Sequence, residues 1–142
     1  MIKSFRGKLA HDEQHRIRLS TNKGEIGYRV TKFQLMATTP GGNTYEYLCQ
    51  IYKQKTDPST TVDFTNPNLI AAAYLEGNNS TNYTDAMTVI FDNEVVNQDI
   101  YVTGVDVDVG TIPFNYYIEL EQMKLDLNES TVATLRDMRG RE

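Results

Sequence analysis

Ile26-Gly27-Tyr28-Arg29-Val30-Thr31-Lys32-Phe33-Gln34-Leu35-Met36-Ala37 is the stretch that decides the fold. Ile26, Tyr28 and Val30 recur every second residue, the period of a strand with one dry face. After Thr31-Lys32 the phase flips, and Phe33 and Leu35 become the inward set. A strand that keeps one face buried changes parity only by admitting an extra residue. A β-bulge is therefore expected near Thr31-Lys32.

The same period runs outward in both directions. Residues 16–21 alternate, with Ile17 and Leu19 inward, and Asn22-Lys23-Gly24-Glu25 reads as a turn. Thr38-Thr39-Pro40-Gly41-Gly42-Asn43 is a second turn, leading into Tyr45 to Tyr52, where Tyr45, Tyr47, Cys49 and Ile51 share a face. The two strands around it are expected to form a hairpin. Residues 55–68 read as a long loop with a short strand around Val62-Asp63-Phe64. Leu69 to Leu75 is ambiguous: its three alanines favour helix, but the run is short and flanked by Pro67 and Gly77, and the surrounding β context gives strand the edge. A polar loop at 77–85 and a buried strand at 87–91 follow. Two further strands are expected at 99–103 and 105–109, the second with Val inward and Asp outward. Gly110-Thr111-Ile112-Pro113 turns the chain into the longest strand, 115–127. There Tyr116, Ile118 and Leu120 give way to Met123, Leu125 and Leu127 in the other phase, so a second bulge is expected near Glu121-Gln122.

The C-terminal piece differs. Asn128 or Ser130 can cap a short helix in which Val132, Leu135 and Met138 form one stripe. Three apolar residues bury little, so this segment is expected to dock on its own sandwich or on a neighbouring subunit. The reading is all-β: an antiparallel two-sheet sandwich over residues 1–127, with jelly-roll connections among the wirings it allows, and a C-terminal helix or arm over 128–142.

Composition narrows the function classes. The chain has 142 residues, one domain's worth, and a net charge of −5, which opposes binding to nucleic acid or anionic lipid. The first residues carry charge without an apolar core behind it. The longest apolar run, Leu69 to Leu75, is far short of the roughly 20 residues that cross a bilayer. Neither an export signal nor a membrane span is expected. Four Asn-x-Ser/Thr triplets, at Asn78, Asn79, Asn82 and Asn128, are read as chance in an Asn- and Thr-rich chain. The lone Cys49 excludes an internal disulfide and falls on an inward phase, where a thiol behaves as a small hydrophobe.

Each candidate for chemistry has a plainer reading. In His11-Asp12-Glu13-Gln14-His15 the acid does not follow the first His as a zinc-protease helix requires, so a solvated loop is expected. Asp106 and Asp108, with Asp99 upstream, lack a calcium-loop spacing and read as solvent-facing carboxylates, as do Glu119 and Glu121. Tyr45, Tyr47, Tyr52, Tyr74, Tyr83, Tyr101, Tyr116 and Tyr117 could form a stacking platform for sugars, but packing accounts for most such residues. Lys3, Arg6 and Lys8 at one end and Arg136, Arg139 and Arg141 at the other suit subunit contacts or solvated tails. No catalytic residue, cofactor site or metal site is assigned, and an enzyme is not expected.

Three stretches carry a resemblance: residues 27–36; Ile90-Phe91-Asp92-Asn93-Glu94 with Asn97-Gln98-Asp99-Ile100-Tyr101; and residues 115–125 running on to Thr134-Leu135-Arg136. They resemble small proteins of marine viruses, mostly tailed bacteriophages, taken to be virion components. The similarity covers nearly the whole chain, its motifs are strand sequences, and it transfers no functional residue. It implies a structural role in the virion without distinguishing a capsid decoration protein, a capsid subunit or a tail part; the role expected here is that of a capsid decoration or capsid-associated protein. The expected partners are copies of itself and other capsid proteins, in a homo-oligomer. The alternative is a tail-associated module that binds carbohydrate or a receptor, using exposed tyrosines and the loops at 55–68 and 77–85.

Overall fold

The strands nest like parentheses in the computed structural model, which describes residues 1–21, 24–42, 44–78, 83–91, 93–108 and 112–139. In chain order they are β1 (Ile2–Leu9), β2 (Glu13–Ile17), β3 (Ile26–Ala37), β4 (Tyr45–Tyr52), β5 (Leu69–Asn78), β6 (Tyr83–Ile90), β7 (Ile100–Asp106) and β8 (Phe114–Lys124), followed by helix α1 (Leu127–Arg139). One sheet has the order β1-β8-β3 and the other β2-β7-β4-β5-β6, every pairing antiparallel. First pairs with last, second with seventh and fourth with fifth, as in a jelly roll. The third and sixth strands would complete the nest, but β6 stays on β5. The all-β sandwich read from the sequence is the fold observed.

Between the sheets lies one core. Leu9, Phe33, Tyr47, Cys49, Ile51, Ile100, Val102, Phe114, Ile118 and Leu120 are essentially inaccessible. Stacked rings run through it, Tyr45 on Tyr47 at 4.7 Å and Tyr47 on Phe114 at 4.6 Å between centroids. The bulge falls where the parity flip placed it: Val30 pairs with Leu120 and Lys32 with Glu119, leaving Thr31 as the extra residue. That insertion lets Tyr28, Val30 and Phe33 all face inward.

Several expectations fail for identifiable reasons. The turn at residues 38–42 does not close a hairpin; β3 and β4 belong to different sheets, so it crosses from one layer to the other. Residues 2–9, read as a charged terminal segment, form β1, whose Phe5 and Leu9 pair with Ile118 and Phe114. The strand expected at 16–21 is instead Glu13–Ile17, because the backbone N–H groups of Leu19 and Ser20 donate to the Asp99 carboxylate at 2.8 and 3.0 Å. No second bulge interrupts β8: its pairing with β3 runs unbroken from Leu120 to Lys124, and the inward phase simply ends where the strand passes the core. The strands expected at 99–103 and 105–109 are one, β7, and its Asp106 is buried, accepting hydrogen bonds from the N–H groups of Glu46, Asp108 and Ile112. Val109, Gly110 and Thr111 lie outside the described residues, as do the sequons' Asn79 and Asn82.

The long loop explains the apolar run in β5. Residues 62–64 form no strand. The loop instead lies over the outer face of the larger sheet, where Gln50 Nε2 donates to Thr61 O at 3.1 Å and the ring of Phe64 meets Phe91 edge-on at 5.2 Å. Leu69 and Ala72 are thereby covered on the face opposite Ala71 and Ala73, and a register shift against β4 leaves Ile70 as an extra residue in the core, so β5 is dry on both sides. A strand buried on both faces loses its alternation. By contrast β6, expected to be buried, is exposed from Thr84 to Thr88.

Candidate functional site

Unequal sheets create a concavity. Five strands face three, so β6 overhangs, and the seam where a third-to-sixth pairing would lie stays open. A cleft of about 810 Å³ occupies it, bordered by Gln34, Leu35, Tyr74, Thr88, Tyr116 and Tyr117. Further along the seam, a smaller hollow of about 290 Å³ lies between Val30 and Ile90. Small residues on β6, Ala86 and Thr88, keep the cleft wide. Its wall combines aromatic rings with amide and hydroxyl groups, a surface suited to a neutral polar ligand or an extended chain.

Tyr116 is the cleft residue with the most specific surroundings. Its hydroxyl hydrogen-bonds with His15 Nδ1 at 3.1 Å, while His15 Nε2 donates to the Glu13 carboxylate. A carboxylate can only accept, so His15 Nε2 carries a proton, and the Tyr116 hydroxyl is the partner of the other ring nitrogen. Gly7 faces the same hydroxyl, and a Cβ there would sit 2.7 Å from it. Burial, with smaller contributions from Cys49 and Glu13, raises the Tyr116 hydroxyl to about 12. It therefore remains protonated, and its bond to His15 ties β8 to β2, one sheet to the other. The histidine segment, expected to be a solvated loop, is thus built into the structure: His15 lies in β2, and His11 Nδ1 accepts from the Asp106 N–H at 3.0 Å.

Most other flagged residues serve packing. Tyr45, Tyr47, Tyr52 and Tyr116 are buried and Tyr74, Tyr101 and Tyr117 half-buried, so the described tyrosines form no exposed stacking platform. Cys49 is fully buried, and desolvation pushes its thiol well above the ordinary value. Asp99 is a buried anchor for Arg16 and for the chain at 19–20. Glu119 and Glu121, read as facing only solvent, pair with Lys32 at 3.6 Å and Arg29 at 2.5 Å. Among the described residues, no three His, Cys, Asp or Glu side chains gather where they could hold a metal ion. No described helix is long and apolar enough to cross a membrane.

A second surface lies on α1, and it reverses the expected docking. The cap is Asp126 rather than Asn128 or Ser130: the Glu129 N–H donates to Asp126 Oδ1 at 2.7 Å, and the Asp126 N–H returns toward Glu129 at 3.4 Å. Ser130, Ala133 and Asp137 form the buried side. They meet Asn97, whose Nδ2 lies within donating distance of Thr134 Oγ1, Gly24 O and Ser130 O. Small and polar residues let the helix backbone come close, and Asn97 satisfies groups that would otherwise be orphaned. The apolar stripe faces away: Val132 is 61% exposed, Leu135 54% and Met138 49%. Beside it runs a groove of about 350 Å³ lined by Val95, Met123 and Leu125.

No family model and no curated protein matches the chain.

Proposed function

We propose that this protein is a non-enzymatic structural component of a virus particle, a capsid decoration or capsid-associated protein that binds neighbouring subunits. The observation that carries this reading is the outward stripe of α1. A helix held by its polar side, with Val132, Leu135 and Met138 left in water, has the form of an interaction surface rather than a packed element. The resemblance of the strand sequences to small phage virion proteins supplies the setting. The test combines mass spectrometry of intact particles with a variant carrying Val132→Ser, Leu135→Gln and Met138→Gln. The native chain is expected in purified particles at fixed stoichiometry, and the variant is expected to fold and yet be lost from them. Absence of the native chain from particles would overturn the reading.

The open cleft favours a second reading, a tail-associated module that binds carbohydrate or a receptor. Tyr117 supplies an aromatic ring, and Gln34 an amide, among the residues that border the cleft. Glycan-array binding that is lost on Tyr117→Ala would support it, and uniformly flat binding would remove it.

A further inference from the structure

Every sheet in this protein ends in two edges, and three of the four are guarded. The β1 edge carries Lys3, Arg6 and Lys8. The β3 edge is broken by the bulge at Thr31 and bridged by Val96, whose N–H and C=O exchange hydrogen bonds with Tyr28 at 2.9 and 2.8 Å. The β2 edge is five residues long and includes Glu13, His15 and Arg16. Short length, charge, bulges and cover are the devices by which sheets avoid pairing with other chains.

β6 has only one of them, the single charge of Asp85. It is eight residues long, Tyr83-Thr84-Asp85-Ala86-Met87-Thr88-Val89-Ile90, without Lys, Arg or Pro, and its register on β5 is unbroken. Thr84 through Thr88 are exposed, and Met87 is 66% exposed. The direction of its free groups follows from one bond. The Phe91 N–H donates to Ile70 O at 3.0 Å, in the same register as the ladder. Odd-numbered residues of β6 therefore bond to β5, and Thr84, Ala86, Thr88 and Ile90 present their N–H and C=O groups outward.

We propose that β6 is the self-association edge of this protein, pairing antiparallel with β6 of a second copy about a two-fold axis at Met87. The strand's own sequence argues for a copy of itself. In this register Thr88 faces Ala86 of the copy and Ile90 faces Thr84, as hydrogen-bonded pairs formed by the outward groups. Asp85, the strand's single charge, faces Val89, so the two Asp85 carboxylates are kept apart. Met87 meets Met87 at a non-hydrogen-bonded position, where side chains approach closest. The pairing joins two larger sheets into one continuous sheet and shields an exposed methionine. A two-fold contact of this kind closes on itself and leaves the guarded edges at its ends. This inference goes beyond the virion reading and stands on the strand geometry alone.

Sedimentation over a concentration series tests it on the full chain. The native protein is expected to reach twice the monomer mass. Met87→Lys is expected to weaken the dimer about tenfold or more by bringing two ammonium groups together at the axis. Ala86→Pro removes only an N–H that points away from β5, so it is expected to keep the monomer folded by circular dichroism and abolish the dimer. Met87→Cys is expected to cross-link rapidly under mild oxidation, since facing residues at such a position lie about 4.5–5.5 Å apart, within disulfide reach. A native protein that stays monomeric throughout would overturn the proposal. An oligomer indifferent to both Met87→Lys and Ala86→Pro would also overturn it, placing the contact elsewhere, as on α1. Incorporation into particles is a separate readout, so either proposal can fail while the other holds.

Discussion

The Asp137 carboxylate accepts a hydrogen bond from the Asn97 backbone N–H at 3.1 Å, joining the last turn of α1 to a loop residue 40 positions earlier. With the Asn97 side chain bonded to Gly24 O and Thr134 Oγ1, this residue is the clasp of the helix. Asn97→Ala leaves those acceptors without their buried donor and is expected to cost about 2 kcal/mol in chemical denaturation. Limited proteolysis of this variant should cut within α1 first. Unchanged protection of α1 would show that the clasp is dispensable.

Asp137 itself is held at a cost. Burial is the largest influence and, aided by Glu94, raises its carboxyl above the ordinary 3.8 despite the Asn97 N–H, Lys53 and Arg136. A raised acid disfavours the folded state as pH climbs through 3.8 towards the folded value, and the penalty persists at neutral pH. Asp137→Asn keeps an acceptor for Asn97 and removes the charge. It is expected to melt higher than the native protein at pH 7, with the difference vanishing in acid. A lower melting point at pH 7 would mean that attraction to Lys53 outweighs burial.

Asp99 has the opposite sign. Burial works against its ionised form, but the N–H groups of Ser20 and Leu19 and the Arg16 guanidinium prevail and hold the carboxyl at about 2. Its contribution is therefore complete above the ordinary 3.8 and lost as pH falls towards 2. Asp99→Asn is expected to destabilise by about 2 kcal/mol at neutral pH, with the gap closing in acid. A gap that is constant with pH would show that charge is not what Asp99 contributes.

Gly104 lies under the aromatic stack. A Cβ there would fall 2.6 Å from Phe114 Cζ and 3.1 Å from Leu9 Cδ1, and both neighbours are fully buried. Gly104→Ala is expected to cost about 1–3 kcal/mol, read as a lower denaturation midpoint.

The bulge gives a sharper contrast. Thr31→Ala should be nearly neutral, because the side chain is exposed. Deleting Thr31 shifts Phe33 and Leu35 by one position and turns them outward. Exposing Phe33 alone forfeits about 2–3 kcal/mol, so the deletion is expected to yield insoluble protein. A soluble, cooperatively folded deletion variant would contradict the parity argument.

Parity was the legible part of this fold. It marked β3 and the bulge because that strand has one wet and one dry face, and it found the inward set of β4 although Leu48, Gln50 and Tyr52 on the other face are buried too. It misread β6 because Met87, Val89 and Ile90 look like a buried run, and nothing local shows that Met87 and Val89 face away from the other sheet. Helix α1 was placed correctly but faced wrongly. The stripe Val132–Leu135–Met138 is visible in the sequence, whereas the Asn97 clasp joins residues far apart along the chain. The cleft was illegible for the same reason, since its border draws on β3, β5, β6 and β8.

The nesting of first strand with last has a consequence for synthesis on the ribosome. β3 has one sheet neighbour, β8, and β1 has the same one. The smaller layer therefore cannot begin to form until residues 114–124 have left the exit tunnel. Until then Tyr28, Val30 and Phe33 have only the nascent larger layer to lie against. Folding of this protein is bound to be late and dominated by distant contacts, so slowing elongation would do little to help it.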